Sequence, residues 1–439
     1  MPMSLEARLL NALSAWRSAP VWTVAFSGGL DSTVLLHLLA GLAQRQQLPP
    51  LRAIHIQHGL QAAAEAWPAH CQRVCAALKV PLLLREVQVP AGASLEQAAR
   101  DARYAAFVAM LGTDELLLTA QHRDDQAETL LFRLLRGAGA RGLAAMPASR
   151  ALGAGQLVRP LLDVSRAELD AYARANGLDW VEDPSNQDER FSRNFLRRQV
   201  LPLLTQRWPQ AVTSMARSAA HLSEAQALLD ELAQADLAAL DVPSRFTWLA
   251  LPSLPLAPLL ALSAARQRNL LRYWLAPLTR LPDSDHWAGW ASLATAAVDA
   301  APIWRLASGE LRRADGRLWW LTGAWLQALP SIDRPLPVDS PMQLPANGSV
   351  RLLGQAPEGL LRVRYRQGGE MLHLPGRGHR DLKRLLNEAG VPGFLRGRLP
   401  LLYRGEQLLA VANLPQLSVA GPGSWQFVWQ QPTNDQNLS

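Results

Sequence analysis

The segment VWTVAFSGGLDSTVLLHLLAGLA, residues 21–43, decides the fold of the first part of this 439-residue chain. Its opening residues, VWTVAF (21–26), predict a short buried strand, and STVLLHLLAGLA (32–43) has the apolar pattern of a helix. The turn between them, SGGLDS (27–32), contains two glycines, which allow positive φ angles and a close approach of the backbone to a ligand. Free amide groups and the positive dipole end of the helix then face the same point. The segment therefore predicts a site for a phosphate group.

Beyond this segment, strand-like and helix-like stretches continue to alternate. RAIHIQHG (52–59), VPLLLREV (80–87) and ELLLTAQH (115–122) are the next predicted strands, and amphipathic helical patterns follow them. Such alternation is typical of a parallel sheet with crossover helices. Ligands of open parallel sheets bind at the carboxyl ends of the strands, and the SGGLDS turn lies at such an end. We therefore predict an α/β fold for the first part of the chain.

The SGGLDS turn differs from the Walker loop because it lacks the lysine of that motif. An aspartate stands in the anion site instead, which makes chemical sense if a divalent cation such as Mg²⁺ lies between carboxylate and phosphate. The alternative is a glycine-rich turn that binds nothing. The predicted nucleotide site comprises Ser27, Gly28, Gly29, Leu30, Asp31, Ser32, Thr33 and the strand-end His58, with Asp31 as the metal ligand.

The composition is that of a globular protein, with 49% apolar and 18% charged residues. No stretch predicts a membrane span, and the N-terminus lacks the pattern of a secretory signal. Cys71 and Cys75 are too few for a disulfide framework or a zinc site, and their i, i+4 spacing in a helical pattern predicts two free core thiols. We expect a cytoplasmic location.

Composition shifts divide the chain into five predicted segments. The parallel-sheet catalytic domain is expected over residues 1–210, and a helical connector with a small substrate-binding domain over 211–330. A proline-rich linker (331–350), a basic α+β domain (351–430) and a polar tail (431–439) follow. The predicted architecture is thus a parallel-sheet domain, a helical middle domain and a small basic C-terminal domain.

The formal net charge of +7 is concentrated near the C-terminus. Residues 362–404 carry ten basic side chains against three acidic ones, an excess that equals the whole net charge. A clustered basic segment indicates a phosphate-rich partner, because each neutralised phosphate releases counterions. A solvated basic face without a ligand is the alternative. Lys79 and Lys383 are the only lysines, and we attribute the arginine bias first to genomic composition.

The SGGLDS string matches the SGGxDS motif of the PP-loop ATP pyrophosphatases, which this chain resembles. Members cleave ATP between its α and β phosphates and leave an AMP-activated substrate. The resemblance implies that the nucleotide at this turn is ATP, used as a co-substrate together with Mg²⁺.

Later motifs resemble the tRNA(Ile)-lysidine synthetases in particular. HIQHGL (55–60) resembles their HxxHGL motif, and the helix with Ala99, Arg100, Arg103 and Tyr104 fits their E-x-x-AR-x-x-RY pattern apart from Gln97. The block TAQHRDDQAETLLFRLLRGAGARGLAAM (119–146) is very close to their signature, and Gln121 stands where many members have a second histidine. RPLLDVSRAEL, WVEDPSN and RNFLRRQVLP continue in the same order over 159–202, and RVRYRQGGE, LKRLLNEAGVP and RGRLPLLY resemble the family's C-terminal module.

This resemblance implies a two-step reaction on the wobble cytidine of isoleucine tRNA with the anticodon CAU. ATP adenylates the oxygen at carbon 2 of the base, and the ε-amine of free lysine then displaces AMP. The product, lysidine, pairs with A and gives the tRNA isoleucine identity. The implied partners are this tRNA and free lysine, with no membrane. The oligomeric state stays open, a homodimer included.

The chemistry of the two steps selects candidate residues. Charge developing on the departing pyrophosphate calls for cations and amides, and lysine, with a solution pKa near 10.4, needs a base. The catalytic candidates are Asp31, Arg103, His122, Asp125 and Glu128, and the base stays open among the last three. The substrate candidates are Arg100, Arg103, Asp124, Arg133, Arg136, Gly137, Asn194, Arg197, Arg198, Arg364, Arg366, Lys383 and Arg396.

Each group of candidates also has a structural interpretation. Acids at the start of a helix complement its dipole, and Arg100 with Arg103 fits a solvated helix face. Asn194, Arg197 and Arg198 can instead pair with the acid-rich stretch 182–189.

Three other functions compete with lysidine formation. A tRNA thiolase of the same ATP family usually needs active-site cysteines. An RNA-binding protein without catalysis has no use for the intact SGGLDS turn. An amidotransferase normally carries a glutaminase domain, and no nucleophilic cysteine elbow is present in the sequence.

Overall fold

The computed structural model describes residues 3–57, 66–89, 95–281, 285–297, 300–374, 376, 378–419 and 424–433. The chain divides into two compact units, Met1–Leu228 and Leu229–Ser439. Among the helices of these described ranges, none has the length and apolar character needed to cross a membrane.

A six-stranded sheet forms the centre of the first unit, in the order β3-β2-β1-β4-β6-β5. Every neighbouring pair is parallel except β5 and β6, which form an antiparallel hairpin. The strands are β1 (Trp22–Ala25), β2 (Leu51–Gln57), β3 (Leu82–Glu86), β4 (Leu116–Leu118), β5 (Ser149–Leu152) and β6 (Gly155–Val158). The predicted α/β fold is confirmed, although the fourth strand is shorter than its apolar run.

Helices of the first unit cover this sheet. They are α1 (Leu5–Ala12), α2 (Leu30–Arg45), α3 (Trp67–Leu78), α4 (Leu95–Met110), α5 (Arg123–Leu134), α6 (Ala140–Leu143), α7 (Arg166–Ala175), α8 (Ser192–Phe195) and α9 (Leu201–Arg207), with a π-helical turn, Leu196–Val200, before α9. The core joins apolar residues of β1, such as Val24, to fully buried leucines of α2. Cys71 and Cys75 are free and buried in the same core, as predicted.

The long helix α10 (Ala211–Ala239) occupies the region predicted to be a helical connector. The middle region that follows also has strands, which the prediction of a helical domain did not include. Its elements are α11 (Leu256–Ala261), α12 (Ala264–Leu275), α13 (Ala288–Thr295), β7 (Ser253–Pro255), β8 (Ile303–Leu306), β9 (Gly309–Ala314) and β10 (Arg317–Leu321). The apolar run RLWWL is buried on both sides, with Trp319 and Trp320 inaccessible, so it lacks the alternation that marks a strand.

The C-terminal region is an α+β arrangement, as expected. Its strands are β11 (Asp333–Pro335), β12 (Met342–Gln343), β13 (Ser349–Gly354), β14 (Leu361–Arg364), β15 (Met371–Leu374), β16 (Gly378–Asp381), β17 (Leu401–Arg404), β18 (Gln407–Val411) and β19 (Trp425–Gln430), and its helices are α14 (Leu382–Glu388) and α15 (Gly393–Arg396). They form one sheet in the order β11-β14-β17-β18-β15-β16 and a second in the order β12-β13-β19.

The predicted linker over 331–350 is wrong, because this run belongs to the two C-terminal sheets. β11 pairs with β14, and β12 pairs with β13. Ile332, Leu336 and Leu344 are buried in the same core as the C-terminal strands. Proline is tolerated on edge strands, and β11 is such an edge, so the proline content did not prevent packing.

Candidate active site

The SGGLDS turn connects β1 to α2 at the carboxyl edge of the parallel sheet. Hydroxyl groups brace the turn from within. Ser32 Oγ donates to the Gly29 carbonyl at 3.0 Å and lies 3.0 Å from Ser27 Oγ. Thr33 Oγ1 also donates to the Gly29 carbonyl, at 3.0 Å. The turn is therefore fixed before any ligand binds.

Gly28 is required by both its conformation and its surroundings. Its φ is +84°, and an added Cβ would lie 3.1 Å from both Cys71 Sγ and Val181 Cγ2. Val181 also donates its amide to the Gly28 carbonyl at 2.9 Å. The turn is thus held between α3 and the segment that follows α7.

His122 lies at the centre of a group of three carboxylates. It is buried, and its Nε2 lies 3.7 Å from Asp31 Oδ2 and 3.5 Å from Asp125 Oδ2. Its Nδ1 lies 3.7 Å from Asp124 Oδ2. Burial alone would lower the pKa of His122, but the three carboxylates outweigh it and raise that pKa. The structure thus brings together four of the predicted residues from the ends of β1 and β4.

Arg197 connects two of the predicted acids. Its Nε and Nη2 donate to the two carboxylate oxygens of Glu128 at 2.6 and 2.9 Å, and Nη2 also donates to Asp125 Oδ1 at 3.1 Å. The Glu128 side chain is only 3% exposed. Burial raises its pKa, and the Arg197 guanidinium offsets part of that rise. Pairing with the acid-rich 182–189 stretch was the alternative considered for Arg197; the structure shows it paired with Glu128 and Asp125 instead.

Arg166 is a site residue that the sequence analysis did not select. Its Nη1 lies 3.3 Å from Asp31 Oδ2, and its backbone amide donates to Asp124 Oδ2 at 2.8 Å. It occupies the first turn of α7, where Ser165 and Glu168 form a capping box. That S-x-x-E pattern in the sequence was the available signal for a helix beginning at this edge.

These groups meet at a cleft of about 760 Å³. Three described arginines line it: Arg103, Arg166 and Arg197. Asp31 and Asp125 also line it, whereas His122 and Glu128 lie behind its surface. The segment Trp180–Pro184 forms part of another wall. Cations and carboxylates therefore face one volume that is large enough for a small organic ligand.

Asp31 fits the role of a magnesium ligand. Its Oδ1 is buried and has no hydrogen-bond partner within the described ranges. Burial raises the pKa of this carboxyl group, and His122 and Arg166 counter the rise. The described residues contain no group of three or more His, Cys, Asp or Glu side chains able to hold a metal alone. Mg²⁺ usually takes one or two carboxylates together with substrate phosphates and water, so the free oxygen of Asp31 could serve as one such ligand.

The other predicted contacts of the first unit fall into two groups. Arg100, Arg136 and Gly137 are exposed, as a substrate contact requires. Arg133 instead donates to the carbonyls of Gly142 and Ala145, both at 2.8 Å, and closes the turn after α5.

Asn194 and Arg198 both hold the 182–189 stretch in place. Asn194 Nδ2 donates to the Ser185 and Asp188 carbonyls at 2.8 and 2.9 Å. Arg198 donates to the Gln187 carbonyl at 2.7 Å. Both side chains therefore contact the 182–189 stretch, which agrees with the structural role considered for them above and not with a substrate contact. His58 lies outside the described residues.

In the second unit, acids from inside and outside the basic window neutralise part of it. Arg364 makes a two-pronged contact with Glu406 at 3.0 and 3.0 Å and lies 3.2 Å from Asp333. Arg366 lies 3.3 Å from Glu370. Arg396 binds the Val391 carbonyl at 2.8 Å, and Lys383 is exposed. Of the four predicted contacts there, Lys383 is exposed and the three arginines are partly buried.

Known families match three parts of the sequence. The PP-loop domain matches residues 2–204, the TilS substrate binding domain 254–319, and the TilS substrate C-terminal domain 361–423.

Curated relatives extend over the whole chain. It is 66% identical over 440 residues to the tRNA(Ile)-lysidine synthase of Pseudomonas aeruginosa and 64% over 436 residues to that of Pseudomonas fluorescens, with 99% of each chain covered in both cases. The tRNA(Ile)-lysidine synthase of Escherichia coli O157:H7 is 43% identical over 424 residues, which cover 93% of this chain and 96% of that protein. The chain therefore belongs to the tRNA(Ile)-lysidine synthase family.

Proposed function

We propose that this chain uses ATP and free lysine to convert the wobble cytidine of tRNA(Ile) with anticodon CAU into lysidine. The observation that carries the proposal is the meeting of the SGGLDS turn with cations and acids in one cleft. ATP use follows from the PP-loop domain. The adenylated cytidine and the attack by lysine are the steps that the experiment below tests.

The cations of the cleft suit the first step. When the cytidine oxygen attacks the α-phosphate, negative charge grows on the departing pyrophosphate. The turn amides and the guanidinium group of Arg103 can stabilise it. Arg166 and Arg197 also line the cleft, although they are paired with Asp31 and with Glu128 and Asp125. Mg²⁺ held by Asp31 supplies further neutralisation of the phosphates when bound.

Asp125 is the best placed base for the second step. Lysine must lose a proton before its ε-amine attacks carbon 2, and the base must reach the cleft. Asp125 lines the cleft, although its oxygens accept from the His122 amide and from Arg197, whereas Glu128 is almost inaccessible. His122 is 1% exposed and lies behind Asp31 and Asp125. Geometry thus favours Asp125 among the three candidates.

The positions of the cysteines argue against the thiolase alternative. Cys71 and Cys75 are buried, and neither lines the cleft. Cys71 packs against Gly28 from behind the turn. Sulfur delivery by these thiols would require the turn itself to open.

The test is transfer of radiolabelled lysine to tRNA(Ile) bearing CAU, with purified protein, ATP and Mg²⁺. We expect ATP-dependent, acid-stable label on the tRNA. Asp31→Asn keeps the shape of the side chain and removes its charge, and we expect it to lower the rate by about 100-fold or more. Arg17→Gln, an exposed change that precedes β1 at the opposite edge of the sheet, is the control and should retain activity. Pyrophosphate release without lysine transfer would contradict lysidine formation.

A further inference from the structure

Arginines gather around Tyr104 on the side of the cleft formed by α4. The guanidinium carbons of Arg100 and Arg150 lie 4.9 and 5.1 Å from the centroid of the Tyr104 ring. Arg103 precedes Tyr104 on the same helix, and Arg159 follows β6. No carboxylate contacts Arg100, Arg150 or Arg159 within the ranges that the structure describes. Arg103 likewise has no carboxylate contact among the described residues, so this patch, defined by Arg100, Arg103, Arg150 and Arg159 around Tyr104, carries four positive charges with no paired acid there.

Arg159 shows that the patch is costly to the fold. It is 5% exposed, and its Nη1 donates to the Pro147 carbonyl at 2.7 Å. Its Nε is buried without a hydrogen-bond partner among the described residues. Burial lowers the pKa of Arg159, Tyr104 partly offsets this effect, and Arg150 and Arg100 lower the pKa further. A buried cation without an acid is expensive unless an anion supplies the missing charge.

The surrounding arginines also lower the pKa of Tyr104. Burial by itself raises the pKa of its phenol. Arg100, Arg159 and Arg150 outweigh that effect, so the net shift is downward. The crowding of guanidinium groups around the Tyr104 ring thus identifies a site that attracts anions, and the pKa shifts agree with it.

The position of the patch indicates what kind of anion binds. Arg103 and Tyr104 line the cleft, but Arg100 and Arg150 are not part of its lining. A nucleotide confined to the cleft can reach only the inner half of the patch. A polymer of phosphates that enters the cleft can run outward over Arg100 and Arg150.

We propose that the Tyr104 patch binds the phosphate backbone of the RNA strand next to the nucleotide in the cleft, with Arg100 and Arg150 as direct contacts. Arg159 is a positioning residue that sustains the field from beneath. The identity of the RNA as tRNA(Ile) rests on the proposed function. The sequence assigns no role to Arg150, which comes from the antiparallel edge strand β5.

The test compares Arg150→Gln with wild type in binding to a tRNA(Ile) transcript bearing CAU, over a series of salt concentrations. Loss of one phosphate contact is expected to weaken binding by about tenfold near 0.1 M salt and to reduce the slope of log K against log salt by about 0.7 to 0.9. Arg17→Gln removes the same charge at the opposite edge of the sheet and should leave affinity and slope unchanged. Arg150→Lys should restore most of the slope, because it restores the charge.

Other outcomes separate the alternatives. If Arg150→Gln raises the KM for ATP and leaves tRNA binding intact, the patch binds the nucleotide and the proposal is wrong. If Arg150→Gln does not fold, the exposed Arg100→Gln provides the same measurement, and a wild-type slope in that variant overturns the proposal. Wild-type protein that binds this tRNA but makes no lysidine would contradict the proposed function. The dependence of binding on salt would still show whether the Tyr104 patch contacts RNA phosphates.

Discussion

At the scale of single residues, Gly28 joins the phosphate turn to the packing behind it. Gly28→Ala would place a methyl group 3.1 Å from Cys71 Sγ and from Val181 Cγ2 at a φ of +84°. We expect the substitution to lower the free energy of unfolding by about 2 to 3 kcal/mol, from left-handed strain and from overpacking together. Urea titration of the purified protein measures this change.

Gly137 provides the matched control. Its φ is +69°, but an added Cβ meets nothing within 4 Å. Gly137→Ala should therefore lose only the backbone contribution, about 1 kcal/mol. Equal losses in the two variants would show that the contacts with Cys71 and Val181 do not matter.

A second prediction at the residue scale concerns the reactivity of the buried thiols Cys71 and Cys75. Burial raises the pKa of Cys71 to about 12 and that of Cys75 to about 11. Because the thiolate is the reactive form, both thiols should resist alkylation at pH 8 in the folded protein. Iodoacetamide labelling followed by mass spectrometry should find modification at least about 100-fold slower than in urea. Rapid native labelling of either cysteine would contradict the observed burial.

Individual site residues differ in how far the sequence predicts them. The turn residues 27–33 were predictable because glycines, hydroxyls and an acid follow one another in a single string. Arg166 was missed because its contact with Asp31 forms only when α7 packs at the sheet edge. Asn194 resembles a substrate contact in the sequence, yet its amide binds two carbonyls of its own unit. Tertiary partners of polar side chains leave no local pattern.

At the scale of elements, the π-helical turn Leu196–Val200 places Arg197 over Glu128. π-Helical turns often occur at functional sites. Arg197→Gln would leave the nearly inaccessible Glu128 without its cation. We expect a loss of about 2 to 4 kcal/mol in the free energy of unfolding, since an uncompensated buried charge is strongly destabilising.

A double-mutant cycle isolates this contact. Glu128→Gln removes the charge that Arg197 compensates. In that background, Arg197→Gln should cost about 1 to 3 kcal/mol less than in wild type. Additive losses, measured by urea titration of the four proteins, would show that the two side chains act independently.

Elements were predictable where their periodicity was regular. The strand and helix alternation of the first unit gave the parallel sheet, because each strand is a short apolar run bounded by turns. The strand β10 was missed, since Trp319 and Trp320 are both buried and the run shows no alternation. Two-residue and three-residue strands such as β12 and β11 are too short to show any period.

At the scale of the whole molecule, residues 331–350 are predicted to behave as folded chain. The Leu336 amide donates to the Leu361 carbonyl at 2.9 Å, and the Leu344 amide donates to the Gly348 carbonyl at 2.7 Å. Hydrogen exchange should therefore be slow at Leu336 and Leu344. The exposed bend at Asp339 and Ser340 supplies the fast reference in the same run. Uniformly fast exchange over residues 331–350 would instead support the linker that the proline content predicted.

The near absence of lysine has a consequence for an enzyme that would create an electrophile. Adenylation makes carbon 2 of cytidine open to attack by any nearby amine, and a protein amine in the cleft would leave the enzyme covalently joined to its RNA. Lys79 ends α3 on the surface, Lys383 lies on α14 in the other unit, and the cleft is lined by arginines. A guanidinium keeps its proton and so does not act as a nucleophile. Among the described residues that line the cleft there is no lysine, so its arginines supply positive charge without offering an amine that competes with the incoming amino acid.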